Sequence, residues 1–435
     1  MLERLFHVRA MGSTPGREVL GGLTTFLTMA YILVVNPVFL TAAGIPLAGA
    51  VAATCVSAAL GTLLMALLAN YPIALAPGMG LNAFFAYTVC LGAGVPWQTA
   101  LGLVFWSGLL FLLLTVTGVR ATLVRAVPPA LLLGAATGIG FFIAFIGLQH
   151  GGLVKDDPNT LVALGDLTAP PALLALFGLA VSLGLLAARV ATALFWGLAA
   201  TLAAALATGL MPLPAAVVGL PDLSFPGFEI DLLGALRPEY LPLILVLLFF
   251  ALFDTLGTLM AIAHEAGLLR EGGLPRLERA LAADALGMVG GALLGTSTVT
   301  SYIESGAGVG VGARTGLASM VTGGLLLSSL FFLPLLTSIA AGTGLNPVTA
   351  PTLILVGILM VKAARDVRWD DPTEAAPAFF TALLMPLTFN ISHGLAGGIV
   401  VFALVKTAAG RWREVHWLIY LLAVAIVLGY ALVSI

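Results

Sequence analysis

Charged residues are scarce in this chain: of its 435 residues, 9% are Asp, Glu, Lys or Arg, and the formal net charge at pH 7 is −2. An ordinary soluble domain has about 25% charged residues, so the scarcity excludes a soluble enzyme and a disordered chain. Without a surplus of basic residues, no nucleic-acid partner is expected. The chain is instead 60% hydrophobic, with a mean hydropathy of +1.12. It is therefore predicted to be an all-α polytopic protein of the lipid bilayer.

Residues that support enzymatic chemistry are also missing. Cys55 and Cys90 lie in apolar runs, where they behave as small hydrophobic residues. The histidines near the ends of the apolar runs lack the spacing of metal ligands, so neither a metal nor a cofactor is expected. The chain has no Walker A sequence for ATP-driven pumping, no GxSxG nucleophile with partners and no acidic DDxxD pair. No enzymatic activity is predicted.

Apolar runs of about the length needed to cross the hydrocarbon follow one another along most of the chain. We recognise fourteen such runs, and a further apolar run at 416–434 follows them. The predicted bounds of the fourteen are 19–41, 48–69, 73–92, 97–117, 129–149, 170–187, 190–211, 240–263, 278–294, 296–312, 315–338, 348–364, 375–391 and 394–408.

The distribution of Lys and Arg predicts the orientation of these runs. With residues 1–18 as a cytoplasmic N-terminus, two basic residues, Lys155 and Arg237, fall in outside loops, and sixteen fall in inside loops or at the inside ends of the runs. The sixteen are Arg4, Arg9, Arg17, Arg120, Arg125, Arg189, Arg270, Arg276, Arg279, Arg314, Lys362, Arg365, Arg368, Lys406, Arg411 and Arg413. The sequence thus predicts a multi-pass protein of the cell inner (plasma) membrane with a cytoplasmic N-terminus.

The chain resembles itself at an offset of 226 residues, where LGTLLMALLAN at 60–70 aligns with LGMVGGALLGT at 286–296. Equivalent segments are seven runs apart, and because seven is odd the two halves would have opposite topology, as in many secondary transporters. After each aligned segment the chain becomes unsuited to an ordinary helix, at YPIALAPGMGLNAFFAY (71–87) and at GTSTVTSYIESGAGVGVG (295–312). We expect two short extended stretches that meet antiparallel inside the membrane, each leading into a half-helix.

Three carboxyl groups fall inside the apolar runs. A charged residue at the centre of a membrane helix costs roughly 2.5–3.5 kcal/mol, so such residues are functional by default. Asp254 and Glu304 are therefore predicted to bind substrate, although a carboxyl that only holds helices together is the alternative. For Asp284, near the start of a run, a supporting role is favoured. Asn82, at the break of the first half, either caps a helix or contacts the ligand.

These polar residues favour one class of ligand. Two acids, an amide and Tyr302, with no Lys or Arg beside them in the sequence, disfavour an anion. They suit a neutral planar molecule with N–H donors and ring acceptors, because a carboxylate accepts N–H groups. The same carboxyls can exchange a proton with water, which provides a route to proton-coupled uptake.

Six strings of residues carry a further likeness: MLERLF at 1–6, GGLTTFLTMAYILVVNP at 21–37, ALAPGMGLNAFFAY at 74–87, FDTLGTL at 253–259, GTSTVTSYIESGAGVGVGARTGL at 295–317 and PAFFTALLMPL at 377–387. In these strings the chain resembles the nucleobase–ascorbate transporters, also called the second nucleobase–cation symporter family. Within that family it resembles the AzgA-like purine permeases, to which strings of the GLNAFF and SYIESGAGV type are specific.

The resemblance implies a fold of fourteen transmembrane segments in two inverted repeats of seven, with short antiparallel strands that interrupt segments 3 and 10. It implies a core domain at 19–117 and 240–338, which holds segments 1–4 and 8–11. A gate domain would occupy 118–211 and 348–435, with segments 5–7, segments 12–14 and the C-terminal run.

The resemblance also implies a secondary active transporter that imports purine nucleobases (adenine, guanine or hypoxanthine) by proton symport with alternating access, and it allows a homodimer. Motif match assigns substrate binding to Asp254, Glu304, Asn82, Tyr302 and Gly80, proton coupling to Asp254 and Glu304, and support to Asp284 and Thr258. The alternatives are an anion exchanger of the sulfate-transporter type on the same fold and a facilitator that does not concentrate its nucleobase.

Overall fold

The computed structural model describes residues 2–117, 128–214, 216–221, 223–268, 274–341 and 345–433. Arg120, Arg125 and Arg270 of the orientation argument lie outside the described residues, as do residues 118–127 and 434–435 of the predicted gate domain. By its packing the chain divides into a larger unit, Met1–Thr117 with Gln149–Thr352, and a smaller unit, Gly118–Leu148 with Leu353–Ile435. The division into core and gate domains stays a prediction.

The described elements are mostly helices. Up to residue 207 they are α1 (Leu2–Phe6), α2 (Pro15–Met29), α3 (Ile32–Ala42), α4 (Leu47–Leu64), β1 (Leu75–Pro77), α5 (Met79–Ala83), α6 (Trp97–Thr117), α7 (Pro129–His150), β2 (Val154–Asp157), β3 (Leu161–Leu164), α8 (Pro170–Ala187) and α9 (Ala193–Ala207). Beyond it they are α10 (Leu241–Glu265), α11 (Leu277–Leu294), β4 (Val299–Ser301), α12 (Ser305–Gly310), α13 (Gly316–Ser328), α14 (Leu333–Ala340), α15 (Ala350–Val361), α16 (Pro372–Leu387), α17 (Ile391–Ala408) and α18 (Trp417–Val433). Turns of π-helix continue α4 over Met65–Ala69 and α5 over Phe84–Gly92.

Eight helical segments among the described residues are long and apolar enough to cross a membrane. They are Pro15–Ala42, Leu47–Ala69, Trp97–Thr117, Pro129–His150, Pro170–Ala187, Pro238–Glu265, Gly316–Ala340 and Ile391–Ala408. A helix satisfies its backbone hydrogen bonds internally, which is why such segments are stable in lipid. The prediction of a mostly helical, multi-pass membrane protein is confirmed, whereas the count of fourteen segments stays a prediction.

Small residues let the helices of the larger unit approach closely, as is common in membrane proteins. Helix α11 packs on α4 and α6, and α13 packs on α2 and α4. On α2, a Cβ added to Gly21 would lie 2.5 Å from the Cβ of Ala313, and one added to Gly22 would lie 2.5 Å from the carbonyl oxygen of Ala318. This close packing holds the elements around β1 and β4 in place.

A buried carboxylate joins α2 to the start of α13. Glu18 accepts hydrogen bonds from the backbone N–H groups of Arg314 at 2.9 Å and of Thr315 and Ala318 at 3.3 Å each. The side chain of Thr315 caps the same helix by accepting from the N–H of Leu317. The first N–H groups of a helix have no partner within it and form its positive end, so a carboxylate is stabilised there.

The helices of the smaller unit also approach through glycines. Helix α16 packs along α17, and α17 packs along α18. A Cβ on Gly134 of α7 would lie 2.8 Å from the Cα of Ala378, and one on Gly394 of α17 would lie 2.6 Å from the carbonyl oxygen of Thr381. These contacts leave no room for larger side chains at the two glycines.

An ion-pair network lies where α16 begins and α17 ends. The ammonium group of Lys406, a residue 1% exposed, is 2.7 Å from a carboxylate oxygen of Glu374 and 2.9 Å from one of Glu414. Arg411 is 2.7 Å from both Glu414 and Asp371. Asp371 also caps α16, because its side chain accepts from the N–H of Thr373. The network therefore fixes the end of α17 to the start of α16.

We expect Lys406→Ala to destabilise the smaller unit by roughly 3–5 kcal/mol, because it leaves the buried carboxylate of Glu374 without its closest cation. Lys362→Ala is the matched control, since Lys362 is exposed. The check is thermal unfolding of the purified variants in detergent. Equal melting temperatures for the two variants would contradict the role assigned to Lys406.

The network also predicts how stability depends on pH. A hydrogen bond from Arg411 is the main cause that lowers the pKa of Asp371. Hydrogen bonds from Arg411 and from Lys406 lower the pKa of Glu414 to about 2. A carboxyl whose pKa is lowered by folding stabilises the folded state above its unfolded pKa, and this contribution is lost as the pH falls through the folded pKa. The melting-temperature difference between the wild type and Arg411→Gln should therefore be constant near neutral pH and shrink below about pH 4.5. A difference that does not change with pH would refute this.

Candidate functional site

Two three-residue strands, β1 and β4, pair antiparallel inside the larger unit. Leu75 lies opposite Ser301, Ala76 opposite Thr300, and Pro77 opposite Val299, and all six residues are buried. Further backbone hydrogen bonds extend the pair at both ends, from the N–H of Gly78 to the carbonyl of Thr298 and from the N–H of Tyr302 to that of Ala74, each at 2.9 Å. Helices α5 and α12 begin within four residues of the strands.

Hydroxyl side chains form hydrogen bonds with the backbone N–H and carbonyl groups that lack a partner within so short a strand pair. Thr62 donates to the carbonyl of Leu75 at 3.0 Å and accepts from its N–H at 2.9 Å. Ser305 accepts from the N–H of Ala74 at 2.9 Å, and Ser319 donates to the carbonyls at 71 and 73. Irregular backbone is stable in this interior because the protein supplies the partners that lipid cannot.

Two glycines at equivalent positions of the self-similar segments meet below the strands. A Cβ on Gly61 of α4 would lie 3.0 Å from the Cβ of Leu75 and 3.1 Å from Cγ1 of Val299. A Cβ on Gly287 of α11 would lie 3.4 Å from the Cα of Gly61, from Cδ2 of Leu75 and from Cγ1 of Val299. Gly61 and Gly287, like Leu75 and Ser301, are 226 positions apart.

Asp254 lies on α10, beside the strand pair, and its side chain is exposed although it follows a long apolar stretch. Thr300 donates to its Oδ2 at 3.3 Å. The backbone at Gly78 passes close by, because a Cβ there would lie 3.7 Å from Oδ2 of Asp254 and 2.5 Å from Cγ2 of Thr300. The carboxylate keeps free acceptor positions for a ligand.

Glu304 lies at the start of α12 and is half-buried. The hydroxyl of Tyr31 donates to its Oε1 at 2.6 Å, and the hydroxyl of Thr28 donates to its backbone carbonyl at 3.3 Å. Glu304 follows Thr300, the residue that donates to Asp254, by four positions, so both carboxyls lie beside the β4 end of the strand pair. The second carboxylate oxygen of Glu304 can accept from a ligand.

The other predicted contacts hold the end of β1. Asn82 is buried, donates to the carbonyl of Pro77 at 3.2 Å and accepts a hydrogen bond from Ser297. The hydroxyl of Tyr302 donates to the same carbonyl of Pro77. Gly80 lies in the first turn of α5, three positions after Pro77. Their direct contact with substrate stays a prediction.

The two residues predicted to support the site are buried. Asp284 is 0% exposed, and it accepts hydrogen bonds from Thr255 at 2.6 Å and from Ser301 at 2.8 Å. Thr258 is buried one turn after Asp254 on α10. Among the described residues, no group of three His, Cys, Asp or Glu could hold a metal ion.

Several residues of the site were not predicted from the sequence. Tyr31, which binds Glu304, lies in an apolar run some 270 positions away, and no pattern marks it. Of the hydroxyl residues of the site, Ser297, Thr300 and Ser301 carry a weak signal, because they lie in the run GTSTVTS at 295–301, which is too polar for a membrane helix. Thr62, Thr255 and Ser305 lie outside that run.

Comparison with known proteins defines the class. Residues 16–429 match the model of a permease family, Xan_ur_permease, and the chain belongs to that family of membrane transport proteins. A solved structure with the same fold, the transmembrane domain of a cyanobacterial bicarbonate transporter, BicA, aligns with a TM-score of 0.65 and 16% identity over 88% of this chain and 97% of that one.

Curated relatives narrow the class. The chain is 45% identical over 441 residues to the guanine/hypoxanthine permease PbuG of Bacillus subtilis, covering 99% of both chains. It is 39% identical over 429 residues to the adenine permease AdeP of Escherichia coli, covering 98% of this chain and 95% of that one. The resemblance to purine permeases drawn from the sequence is thereby confirmed.

The close approach at Gly78 predicts the effect of one added methyl group. Gly78→Ala would place its Cβ 2.5 Å from Thr300, which is buried and cannot move aside, so we expect a loss of about 1–3 kcal/mol in stability. Gly184→Ala is the control, because nothing lies within 4 Å of a Cβ there. Thermal unfolding in detergent measures both, and a Gly78→Ala protein as stable as the Gly184→Ala protein would show that the strand pair tolerates the methyl group.

Proposed function

We propose that the protein is a proton-coupled symporter that imports purine nucleobases by alternating access. The observation that carries the proposal is the pair of carboxyls, Asp254 and Glu304, beside the strand pair. One is exposed and the other half-buried, whereas the hydroxyl of Thr300 and the amide of Asn82 are bonded within the protein. The two carboxylates are thus charged groups with acceptor positions open to a ligand.

Purine nucleobases suit this arrangement chemically. A purine is flat and neutral and offers ring N–H and exocyclic amine donors, which two carboxylates can accept. The names of the relatives, guanine/hypoxanthine permease and adenine permease, support the same class of substrate. Which purine is preferred depends on ring-edge contacts that also involve backbone groups.

Asp254 and Glu304 have two roles in this proposal, to bind the base and to take up the coupled proton. Asn82, Tyr302 and Gly80 line the site, and the first two also hold the carbonyl of Pro77 in place. Asp284 supports the site from α11, and Thr258 supports it from α10. A carboxyl that is protonated in one half of the cycle and ionised in the other links base binding to the proton gradient.

The proposal includes a topology of fourteen segments in two inverted repeats, with a cytoplasmic N-terminus in the inner membrane and alternating access by a core and a gate domain. The contact between Gly61 and Gly287, 226 positions apart, supports the repeat. The excess of Lys and Arg in the predicted inside loops supports the orientation.

Exchange of anions is the second candidate, and a passive nucleobase facilitator is the third. The likeness to a bicarbonate transporter is a likeness of fold, at 16% identity. Two accessible carboxylates repel an anion, so the site chemistry disfavours the exchanger.

Glu304→Gln and Asp254→Asn should each abolish saturable purine uptake while the protein still reaches the membrane, because each removes the charged acceptor and the titratable group. Glu239→Gln is the matched control, since Glu239 is an exposed acid outside the site. The measurement is uptake of radiolabelled hypoxanthine by reconstituted liposomes. Transport near the wild-type rate in both site variants would reject the site.

The same assay tests the function itself, with adenine, guanine, xanthine and uracil as competitors and with or without an inward proton gradient. Concentrative uptake that requires the gradient and is competed by purines supports the symporter. Uptake that is indifferent to the gradient supports the facilitator, and no uptake of any base supports the anion exchanger.

A further inference from the structure

A row of hydrogen bonds joins the exposed carboxyl of Asp254 to the buried carboxyl of Asp284. The hydroxyl of Thr300 is 3.3 Å from Oδ2 of Asp254, the hydroxyls of Thr300 and Thr255 are 3.0 Å apart, and the hydroxyl of Thr255 is 2.6 Å from Oδ2 of Asp284. We call these four residues the hydroxyl chain. Its inner three members are buried, so it is open at one end and closed at the other.

Counting hydrogens shows how many protons the hydroxyl chain holds. It has three oxygen–oxygen contacts, and each hydroxyl carries one hydrogen. With both carboxyls ionised, two hydrogens serve three contacts, and one pair of oxygens faces each other without a hydrogen. With both protonated, four hydrogens serve three contacts. The hydroxyl chain is complete when one carboxyl is protonated and the other is ionised.

The single proton has two equivalent arrangements. In the first, Asp254 is protonated and donates to Thr300, Thr300 donates to Thr255, and Thr255 donates to the ionised Asp284. In the second, all three bonds run the other way. To pass from the first to the second, each donor hands its hydrogen to its acceptor, so that one O–H bond breaks and one forms at each hydroxyl. The net result is that one proton leaves Asp254 and one arrives at Asp284.

The surroundings of Asp284 suit a group that alternates between the two forms. Ser301 donates to its Oδ1 at 2.8 Å, which leaves Oδ2 as the oxygen that receives the proton. Among the described residues, the structure records no ion pair for Asp284.

We propose that binding of the substrate at Asp254 moves the coupled proton through Thr300 and Thr255 to Asp284, which carries it during transport. The inference rests on the proposed symport and names the group that holds the proton. A base that donates an N–H to Asp254 favours its ionised form, and the hydroxyl chain then gives the displaced proton a destination inside the protein. At every stage the hydroxyl chain carries one negative charge, on Asp254 or on Asp284.

The experiment removes the hydroxyls without changing side-chain shape, in Thr255→Val and Thr300→Val, with Thr255→Ser and Thr300→Ser as matched controls that keep them. Reconstituted liposomes report gradient-driven hypoxanthine accumulation and, through a pH-sensitive dye inside, the protons that enter with it. The valine variants should lose gradient-driven accumulation by about tenfold or more. The serine variants, which keep the hydroxyls, should accumulate hypoxanthine with the wild-type number of protons.

A second measurement reads the proton directly. Infrared difference spectra of the purified protein should show a protonated carboxylic acid band that shifts when hypoxanthine binds, as the proton passes from Asp254 to Asp284. The shifted band should be missing in Asp284→Asn and present in Asp284→Glu. The infrared measurement tests the inference even if a valine variant fails to fold, because it uses the wild type and the two Asp284 variants.

Three results would overturn the inference. Valine variants that accumulate hypoxanthine with the wild-type number of protons would show that the hydroxyls carry no proton. A band that persists in Asp284→Asn would place the proton elsewhere. Wild-type uptake that is indifferent to the gradient would overturn the proposed symport and the inference with it, whereas the first two results leave the symport standing.

Discussion

Hydrocarbon offers no partner to a peptide N–H or carbonyl group, and the arrangement around β1 and β4 follows from that constraint. Strands β1 and β4, of three residues each, pair with each other. So short a pair leaves some backbone N–H and carbonyl groups at its ends and edges without a partner in the sheet. Hydroxyls from α4, α12 and α13 bond those groups, and the amide of Asn82 and the phenol of Tyr302 share the carbonyl of Pro77. Several of the buried polar residues of this membrane protein therefore lie where the helices are interrupted.

The same interruption creates the chemistry of the site. An extended chain exposes its edge to a neighbouring helix, and Gly78 lets Asp254 approach that edge. Thr300 then serves two purposes, since its backbone belongs to β4 and its hydroxyl joins Asp254 to Thr255. A regular helix at this place would bury its backbone groups in its own hydrogen bonds and would offer a ligand nothing but side chains.

Charges at the ends of the helices have a different function. Glu18 binds the first N–H groups of α13, and Lys406 is paired with Glu374 and Glu414 at the end of α17. These groups are fully partnered within the protein, in contrast to Asp254, whose carboxylate is exposed. The distinction between partnered and accessible carboxylates separates the acids that join helices from those available to a substrate.

The sequence by itself determined the membrane class, and it predicted the approximate bounds of the helices and the two places where they are interrupted, because hydropathy and the positions of Pro and Gly act locally. It also singled out Asp254 and Glu304, since an acid in an apolar run is conspicuous. The sequence did not predict the roles of Tyr31, Thr255 and Thr300, because a hydroxyl in an apolar run is ordinary. The carboxyls that these three residues contact lie 273, 29 and 46 positions away along the chain. Which oxygen each hydroxyl faces was decided by the packing of α3, α10 and α11 around the strand pair, since a hydrogen bond depends on distances of a few tenths of an ångström that no local pattern encodes.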